Sequence, residues 1–358
     1  MHVDFVIVGG GIAGISAAAH LAPLGSLTVL EAEPHLAYHA SGRSAALYEP
    51  HYGPPAIVAL SEASGEALRS IDGGVLSPRG LLLVAGDDRC AFEADRRALC
   101  LDEISADEAR RRVPILSRSA LRHAAYSGRA WDVDTDRLVQ GYARMARQAG
   151  ARIVTGAKVG GIRRDGALWV LSTATGDHAA RVLVNAAGAW VDEVARMAGI
   201  RPLGFTPLRR SMARIPAPRG LDVSGWPMMF GAGESWYAKP DAGALIVSPA
   251  EEHAAEPHDA WADDMVLAEG LARYEAMVEA PVERLLSSWA GLRTFSPDRS
   301  PVIGRDPAVP EFVWCAGQGG YGFQSAPAAA ALLADLIAGR APAIGPDLVH
   351  ALSVERYH

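Results

Sequence analysis

The sequence predicts an α/β (α+β) protein in which a parallel strand–helix unit is interleaved with a second domain built on a mixed β-sheet. The first observation is a short apolar run at residues 3–8 (VDFVIV), which ends in glycines and has the composition of a buried parallel strand. The second is a helical pattern over 14–22 followed by a strand pattern over 26–30, which gives a β-α-β opening. The third is a strand–helix unit near the C-terminal end, with sheet-like segments before it.

The remaining elements follow from the spacing of apolar residues. Residues 34–55 are polar and aperiodic, and so long a stretch inside a compact protein is usually functional. The other predicted elements are helices near 56–70 and 134–149, alternating strands near 158–172 and 226–248, a buried strand at 182–185 and a helix over 323–338 closed by Gly339. This order predicts one domain divided in sequence around another.

Composition and charge exclude several classes of function. The 358 residues are 49% hydrophobic, which is typical of a packed globular protein with room for two domains. The formal charge of −7 is spread along the chain without a basic block, so we expect no binding to nucleic acid. Cys90, Cys100 and Cys315 have no CxxC spacing, which argues against a disulfide framework or a zinc site.

We also expect no targeting signal. The N-terminus enters a strand pattern by Val3 without a charged leader, which argues against a secretory signal. The longest apolar run, residues 326–338, is interrupted by Asp335 and is too short to span a bilayer. The sequence therefore predicts a cytoplasmic protein without a transmembrane segment, and peripheral association with a membrane stays open.

A glycine motif carries the strongest chemical signal. Gly9, Gly11 and Gly14 form G-x-G-x-x-G directly after a strand and at the start of a helix. The first glycine permits a tight turn, the second lets the backbone approach a pyrophosphate, and the third allows close packing of helix on strand. Glu31 ends the second strand, where a carboxylate can bind a ribose. The motif alone fits either NAD or FAD.

Two distant segments favour FAD. Residues 182–190 (VLVNAAGAW) are a strand followed by small residues, which suits backbone that passes close to a cofactor. Residues 317–322 (GQGGYG) precede the last helix, and the positive end of that helix could face the electron-rich edge of a reduced flavin. Segments this far apart in sequence are what an extended FAD requires.

Several longer motifs resemble one known family. The glycine motif and Glu31, with VNAAGAW (184–190), WAGLRTFSPDRSPVIG (289–304) and GQGGYG (317–322), are similar to the D-amino-acid oxidase superfamily, which includes glycine and sarcosine oxidases. Within it, YHASGRSAALY (38–48), LRRS (208–211), WYAKPDAG (236–243) and GQGGYGFQ (317–324) resemble the bacterial D-arginine dehydrogenases.

The resemblance implies a Rossmann-like FAD-binding domain and a mixed β-sheet domain that covers the substrate. The implied boundaries are 1–75, 132–203 and 294–358 for the FAD-binding domain, and 76–131 and 204–293 for the substrate-binding domain. We expect noncovalent FAD, because the cysteine that covalent sarcosine oxidases use after an SPD-like segment has no counterpart here. The residues expected to bind FAD are Gly9, Gly11, Ile12, Ala13, Gly14, Glu31, Ala32, Ser41, Gly42, Arg43, Ser44, Ala45, Ala46, Ala187, Gly188, Trp190, Gly319, Gly320, Tyr321 and Gly322.

The resemblance also implies a reaction. A D-amino acid would be oxidised by hydride transfer from its α-carbon to flavin N5, and water would hydrolyse the imino acid to a 2-oxo acid and ammonia. By motif, the residues that hold the substrate carboxylate fall on Arg210 and Arg293, with Tyr237 beside them. A planar guanidinium pairs bidentately with a carboxylate, which agrees with these roles.

Three further positions complete the expected site. Gly320 matches a position whose carbonyl lies near the substrate amine, and Gln324 matches a polar position at the pocket. Tyr52 corresponds to a tyrosine in a mobile loop and suits a gate that excludes water. No side-chain base is expected, because His39 and His51 fit structural roles better, so solvent would take the ammonium proton.

Two departures from the D-arginine dehydrogenases bear on the substrate. Leu47 stands where those enzymes have a histidine, and Leu81 stands where they have a glutamate that holds the cationic side chain. A guanidinium buried against leucine would lose water without gaining a partner. The sequence therefore predicts a neutral or hydrophobic substrate side chain. Glu49 keeps a polar or basic substrate open, and Met228 and Phe230 complete the expected specificity residues.

Two alternatives stay open. The same fold could oxidise an N-alkyl amino acid, an imino acid of the sarcosine or D-proline type, or a 2-hydroxy acid. It could also be a flavin-binding subunit without turnover of its own, since this fold serves inside larger assemblies. The sequence does not distinguish oxygen, a quinone or a carrier as the electron acceptor.

Overall fold

The computed structural model describes residues 2–218 and 220–357. The strands, numbered in chain order, are β1 (His2–Val8), β2 (Leu27–Leu30), β3 (Leu47–Tyr48), β4 (Leu76–Pro78), β5 (Leu81–Ala85), β6 (Asp102–Ile104), β7 (His123–Ser127), β8 (Trp131–Val133), β9 (Arg152–Val154), β10 (Val159–Asp165), β11 (Leu168–Thr173), β12 (Gly176–Asn185), β13 (Thr206–Pro216), β14 (Met228–Gly231), β15 (Tyr237–Asp241), β16 (Ala244–Ser248), β17 (His253–Ala254), β18 (Ser287–Phe295), β19 (Val302–Arg305) and β20 (Phe312–Ala316). The helices are α1 (Ile12–Leu21), α2 (Pro55–Ser70), α3 (Arg89–Ala98), α4 (Ala106–Arg112), α5 (Thr135–Gln148), α6 (Val191–Met197), α7 (Asp264–Glu275), α8 (Gly322–Ala338) and α9 (Pro346–Leu352).

The first sheet has a parallel core. Its eight strands follow the order β10-β11-β12-β1-β2-β9, with β20 beside β12 and β19 beside β20. Strands β20, β12, β1, β2 and β9 pair in parallel, whereas β10, β11 and the start of β12 pair antiparallel. Parallel pairing brings the carboxyl ends of the core strands to one edge, where nucleotides bind in folds of this type.

Apolar clusters cover both faces of this sheet, because its core strands are apolar on both sides. Alternate residues of β1 point to opposite faces. Phe5 and Ile7 pack in a cluster with residues of α1, α5 and α8, whereas Val6 and Val8 pack in another cluster with residues of α6. Helix α8 ends at Gly339, whose left-handed conformation (φ 66°) closes the helix as predicted.

The second sheet is mixed and has nine strands. Its order is β17-β13-β16-β15-β14-β5-β7-β6, and β18 pairs along the other side of β13. Alternation along β5 divides the residues between two clusters: Leu81 and Leu83 pack on one face, and Leu82 and Val84 pack on the other. A small third sheet, in the order β3-β8-β4, holds the end of the polar stretch at 34–55.

The structure confirms the predicted fold class and its main elements. The β-α-β opening, the helices near 56–70 and 134–149 and the last helix are all present. The alternating segments form two strands near 158–172 and three near 226–248. The domain boundaries stay a prediction; β18 runs to Phe295, two residues past the predicted boundary at 293.

The part of the chain that the structure describes has neither a membrane-spanning helix nor a metal-binding cluster. Over 2–218 and 220–357, no helix has the length and apolar composition that a membrane crossing requires. Over the same ranges, no group of three or more His, Cys, Asp or Glu side chains could hold a metal ion.

Candidate active site

The glycine motif forms a tight turn between β1 and α1. A Cβ atom on Gly9 would lie 2.4 Å from the carbonyl oxygen of Ala186, and one on Gly14 would lie 1.9 Å from the carbonyl oxygen of Gly9. Larger residues would therefore push the helix from the strand. Within the described chain, a Cβ on Gly11 would meet only the Ser41 hydroxyl, at 3.2 Å. The N-terminus of α1 is thus open for a phosphate.

Two polar side chains line this turn. Ser41 Oγ accepts a hydrogen bond from the Ile12 amide at 3.0 Å, at the first turn of α1. Glu31 is buried directly after β2, and its carboxylate accepts from the Gly10 amide at 2.6 Å and from the Glu33 amide at 2.9 Å. These bonds fix the carboxylate, and each of its oxygens keeps a lone pair for a ribose hydroxyl.

Two cavities meet beside this turn. The outer cavity runs from the glycine turn past Glu31 to Trp190, and the inner cavity lies between the turn and the second sheet. The residues that line both cavities are Gly11, Ala40, Ser41, Arg43, Ala186, Gly188, Gly291 and Leu292. The shared wall makes one elongated site, which fits an extended FAD with its adenosine half in the outer cavity and its flavin in the inner one.

Most of the predicted cofactor residues line this site. Those on the outer cavity are Gly9, Gly11, Glu31, Ala32, Ser41, Arg43, Ala187, Gly188 and Trp190. Those on the inner cavity are Gly11, Ile12, Ala13, Ser41, Arg43, Ser44, Ala45, Ala46, Gly188, Gly319, Gly320 and Gly322. Gly14, Gly42 and Tyr321 line neither cavity. Gly42 allows close packing on the Ala37 carbonyl, and Tyr321 packs edge-on against Tyr52.

Arg43 is engaged within the protein. Its guanidinium donates to the carbonyl oxygens of Ala260 and Ala290, at 2.8 and 2.9 Å, and pairs with Asp259. Arg43 therefore ties the turn at Ala40–Arg43 to the strand β18 and to the loop before α7. Its charge is already satisfied, so contact with FAD stays a prediction.

Two buried arginines stand at the polar end of the inner cavity. Arg210 on β13 and Arg293 on β18 are diagonal neighbours, because Leu208 pairs with Arg293 and Arg210 pairs with Gly291. The Arg210 Nε donates to the Glu251 carbonyl at 2.9 Å, and its guanidinium carbon lies 5.8 Å from the centre of the Tyr237 ring. We call the two guanidinium groups the clamp.

The Arg293 guanidinium lies against the backbone of Gly320. A Cβ atom on Gly320 would be 1.3 Å from Arg293 Nη2, so a side chain at 320 would displace the guanidinium from this position. Arg293 Nη1 is buried and has no hydrogen-bond partner among the described residues. A buried donor without a partner carries a free-energy penalty, which an incoming carboxylate would relieve. The structure thus brings Arg210, Arg293 and Gly320 together, and their roles toward a substrate stay a prediction.

Tyr52, the predicted gate residue, is hydrogen-bonded to Gln324. Gln324 Nε2 donates to the Tyr52 carbonyl at 3.0 Å, and Gln324 Oε1 accepts from the Glu49 amide at 3.2 Å. The Tyr52 ring packs edge-on against Phe230, with ring centres 5.9 Å apart. Burial raises the pKa of Tyr52 above its usual range, against the opposing effect of Arg293, so its hydroxyl is neutral at physiological pH.

Glu49 brings a buried carboxylate to the same cavity. Its side chain is 2% exposed, and its Oε1 lies 3.1 Å from His51 Nδ1. Its Oε2 is buried and has no hydrogen-bond partner among the described residues. The structure thus places at the cavity wall an acceptor that a ligand could use.

An apolar wall lines the inner cavity beside the clamp. Leu81 and Met228 are paired on adjacent strands, and Phe230 stacks on Tyr237 with ring centres 5.8 Å apart. The apolar residues of this wall are Leu47, Leu81, Leu99, Met212, Met228 and Phe230. All five predicted specificity residues, including Glu49, line the inner cavity. Leu99 and Met212 were missed, although Met212 lies only two residues from Arg210 on β13.

Lys239 was also missed. It is buried on β15, donates to the carbonyl oxygens of Ala45 and Ala46, and pairs with Asp132 at 3.0 Å. It therefore holds the loop expected to lie against the flavin. Because Lys239 lies far from that loop in sequence, no local pattern indicated this contact.

The two histidines have structural partners. His39 Nε2 lies 3.0 Å from Glu33 Oε1, and its ring packs on Trp190 at the outer cavity. His51 is bound to Glu49. Among the described residues, His51 lines neither cavity and His39 lines only the outer one, which agrees with the expectation that solvent takes the substrate proton. The site as a whole can hold a carboxylate at the clamp and an apolar group at the apolar wall.

Comparisons with known proteins agree with this geometry. The profile of the family described as FAD dependent oxidoreductase (DAO) matches residues 4–336. The chain is 28% identical to the sarcosine oxidase subunit beta of Rhizobium meliloti, over 95% of this chain and 86% of that protein. It is 28% identical to the glycine oxidase of Pseudomonas putida, over 97% of each. The crystal structure of glycine oxidase from Geobacillus kaustophilus matches the fold, with a TM-score of 0.82, 24% identity and coverage of 99% and 98%.

Proposed function

The chain belongs to the family of FAD dependent oxidoreductases, and on that premise we propose that it oxidises a D-amino acid with a neutral or apolar side chain. The product is an imino acid, which water hydrolyses to a 2-oxo acid and ammonia. The D configuration follows from the resemblance of the motifs at 38–48, 208–211 and 236–243 to those of D-arginine dehydrogenases.

The apolar wall beside the clamp carries this proposal. The names of the relatives, glycine oxidase and sarcosine oxidase, describe substrates that have no side chain on the α-carbon. Such substrates would leave the wall formed by Leu81, Met228 and Phe230 without contact. An aliphatic or aromatic side chain would gain roughly 25 cal/mol per Å² of apolar area buried there.

The clamp and Gly320 orient the substrate. Arg210 and Arg293 bind the carboxylate, Tyr237 lies beside them, and the Gly320 carbonyl accepts a hydrogen bond from the amine. Two guanidinium groups fix both the position and the direction of the α-carbon. When bound, FAD supplies the acceptor for the hydride that leaves this carbon.

Tyr52 and solvent complete the proposal. Tyr52 shields the inner cavity from bulk water, since its ring packs between Phe230 and Tyr321. Water takes the proton from the substrate ammonium group, because His51 lines neither cavity and His39 lies at the outer cavity.

A substrate panel tests the proposal. Anaerobic bleaching of the flavin and kcat/KM are measured for D-leucine, D-phenylalanine, D-arginine, glycine, sarcosine, D-proline and D-lactate, with L-leucine as the stereochemical control. We expect D-leucine and D-phenylalanine to give the highest kcat/KM. A higher value for sarcosine, D-proline or D-lactate would instead support the alternative substrate class, and no bleaching by any compound would support a non-catalytic subunit. Reoxidation by oxygen, a quinone and a soluble carrier is compared in the same preparation.

The free oxygen of Glu49 favours a second candidate. A substrate whose side chain ends in a hydrogen-bond donor could satisfy the buried Oε2 atom, which has no partner among the described residues. The variant Glu49→Gln removes the charge and keeps the shape. If D-arginine and D-glutamine lose more kcat/KM than D-leucine in this variant, the side chain of the natural substrate carries a donor. If the three change equally, the apolar wall decides the preference.

A further inference from the structure

We propose that Glu252 is a positioning and specificity residue of the clamp, which it restricts to substrates with a single carboxylate. The inference rests on the proposed function, because it requires that the clamp binds the substrate carboxylate. The Glu252 carboxylate lies close to both clamp arginines and places one negative charge beside them. A substrate with one carboxylate then completes the charge balance of the cavity.

Glu252 contacts three arginines at once. Its Oε1 lies 3.4 Å from Arg210 Nη2, 3.7 Å from Arg293 Nη1 and 2.9 Å from Arg299 Nη2. Its Oε2 accepts a second bond from Arg299 at 3.0 Å. The paired bonds to Arg299 hold the carboxylate in place.

The strand pairing fixes this arrangement. Leu208 pairs with Ala254 and Arg209 with His253, so the residue before β17 lies beside Arg210 on β13. The neighbouring acid, Glu251, has its own partners on the other side: its Oε1 accepts from the Ser211 amide at 2.7 Å and lies 4.0 Å from Arg209 Nε. Glu252 is therefore the acid that faces the clamp.

The distances to the clamp leave room for a ligand. At 3.4 and 3.7 Å, the contacts of Glu252 with Arg210 and Arg293 are longer than good charge-assisted hydrogen bonds, which are about 2.7–2.9 Å. Arg293 Nη1 has no hydrogen-bond partner among the described residues. Glu252 thus compensates charge while the guanidinium N–H groups stay available to a second carboxylate.

The charges of Arg210, Arg293 and Glu252 determine how many ligand carboxylates the clamp can balance. The side chains of Arg210 and Arg293 are 5% and 13% exposed, and their two positive charges face the single negative charge of Glu252. Arg299 is 44% exposed and Glu252 is 32% exposed, so solvent screens both charges more than those of the clamp, and that of Arg299 the most. One positive charge remains for the ligand. A second ligand carboxylate at the clamp would be uncompensated in a largely dry cavity, which is unfavourable.

Ligand titration of the holoprotein tests this inference. Propionate carries one carboxylate and malonate carries two on a skeleton of the same length, and binding of each is followed by the change in flavin absorbance. We expect the wild type to prefer propionate. In Glu252→Gln, malonate affinity should rise relative to propionate by on the order of tenfold, because a negative charge beside the clamp has been removed.

Two further variants separate charge from mechanical support. Glu252→Asp keeps the charge and should keep the preference for propionate. Arg299→Gln removes the outer partner and a positive charge, so it should lower malonate affinity relative to propionate, which is the opposite direction. A loss of support alone would change the affinity for both anions by the same factor in all three variants.

The outcomes distinguish this inference from the proposed function. If the wild type oxidises D-leucine but the propionate-to-malonate ratio is the same in Glu252→Gln, only the role of Glu252 is wrong. If the wild type binds neither anion and oxidises no D-amino acid, both are wrong. A Glu252→Gln protein with the wild-type melting temperature and FAD content, but a shifted ratio, establishes the role of the charge.

Discussion

The variant Gly320→Ala tests the geometry of the clamp more directly than removal of an arginine. Position 320 is not in the left-handed region, so alanine brings no backbone strain there. The new Cβ would nevertheless lie 1.3 Å from Arg293 Nη2 and 2.1 Å from its Cζ. Because ordinary contacts begin near 3.4 Å, the guanidinium must move by about 2 Å to reach the limit of normal packing.

The expected loss of activity follows from that displacement. A misplacement of about 1 Å can cost roughly a hundredfold in rate, which corresponds to about 2.7 kcal/mol of transition-state stabilisation. Complete loss of the Arg293 contact, as in Arg293→Ala, sets an upper limit of about 3–5 kcal/mol. We therefore expect Gly320→Ala to lower kcat/KM for the best D-amino acid by at least roughly a hundredfold. FAD should remain bound, because the glycine turn is untouched.

A double-mutant cycle is the assay. The kcat/KM of the wild type, Gly320→Ala, Arg293→Ala and the double variant are measured with the same substrate. If the alanine acts through the guanidinium, it should change the Arg293→Ala protein by no more than about threefold, since the displaced group is already absent. Full additivity of the two losses, or near-normal activity of Gly320→Ala, would refute the reasoning.

Three further predictions concern the cofactor, the clamp and the side-chain wall. Acid precipitation should release the yellow colour into the supernatant, because burial raises the pKa of the Cys315 thiol to about 12 and leaves no thiolate there for a covalent bond; colour in the pellet would contradict this. Arg210→Ala and Arg293→Ala should each lose about 3–5 kcal/mol in kcat/KM with the flavin retained, and Tyr237→Phe only about 0.5–1.5 kcal/mol; near-normal activity of both alanine variants would exclude the clamp. Leu81→Glu should improve D-arginine relative to D-leucine in kcat/KM, and a wild type that already prefers D-arginine would refute the premise.

The cofactor cradle could be predicted because its geometry is local. Gly9, Gly11 and Gly14 lie in a single turn, and Glu31 follows the next strand, so the spacing along the chain defines the arrangement in space. The two arginines of the clamp could be identified from the sequence for another reason. Its two arginines lie in motifs that resemble those of a known family, and these motifs form the paired strands β13 and β18.

Glu252 and Lys239 could not be predicted, because long-range pairing places them. Glu252 reaches Arg210 only because β17 returns beside β13, and this return follows three intervening strands. Lys239 reaches the carbonyl of Ala45 across 194 positions of sequence. Neither residue lies in a spacing pattern that links it to its partner. A buried charge of this kind is identified by its contacts, and those require the fold.

The resemblance to a known family identified the two arginines of the clamp, but it did not fix which substrate side chain is preferred. Strand alternation explains this difference. Position 81 faces the inner cavity whatever residue occupies it, because alternate residues of β5 point to that face while Leu82 and Val84 pack in the opposite core. A substitution at 81 therefore changes the lining of the inner cavity. The clamp is more constrained, since a side chain added at Gly320 would displace Arg293. We therefore expect substrate preference to change through one residue of the wall while Arg210 and Arg293 stay in place.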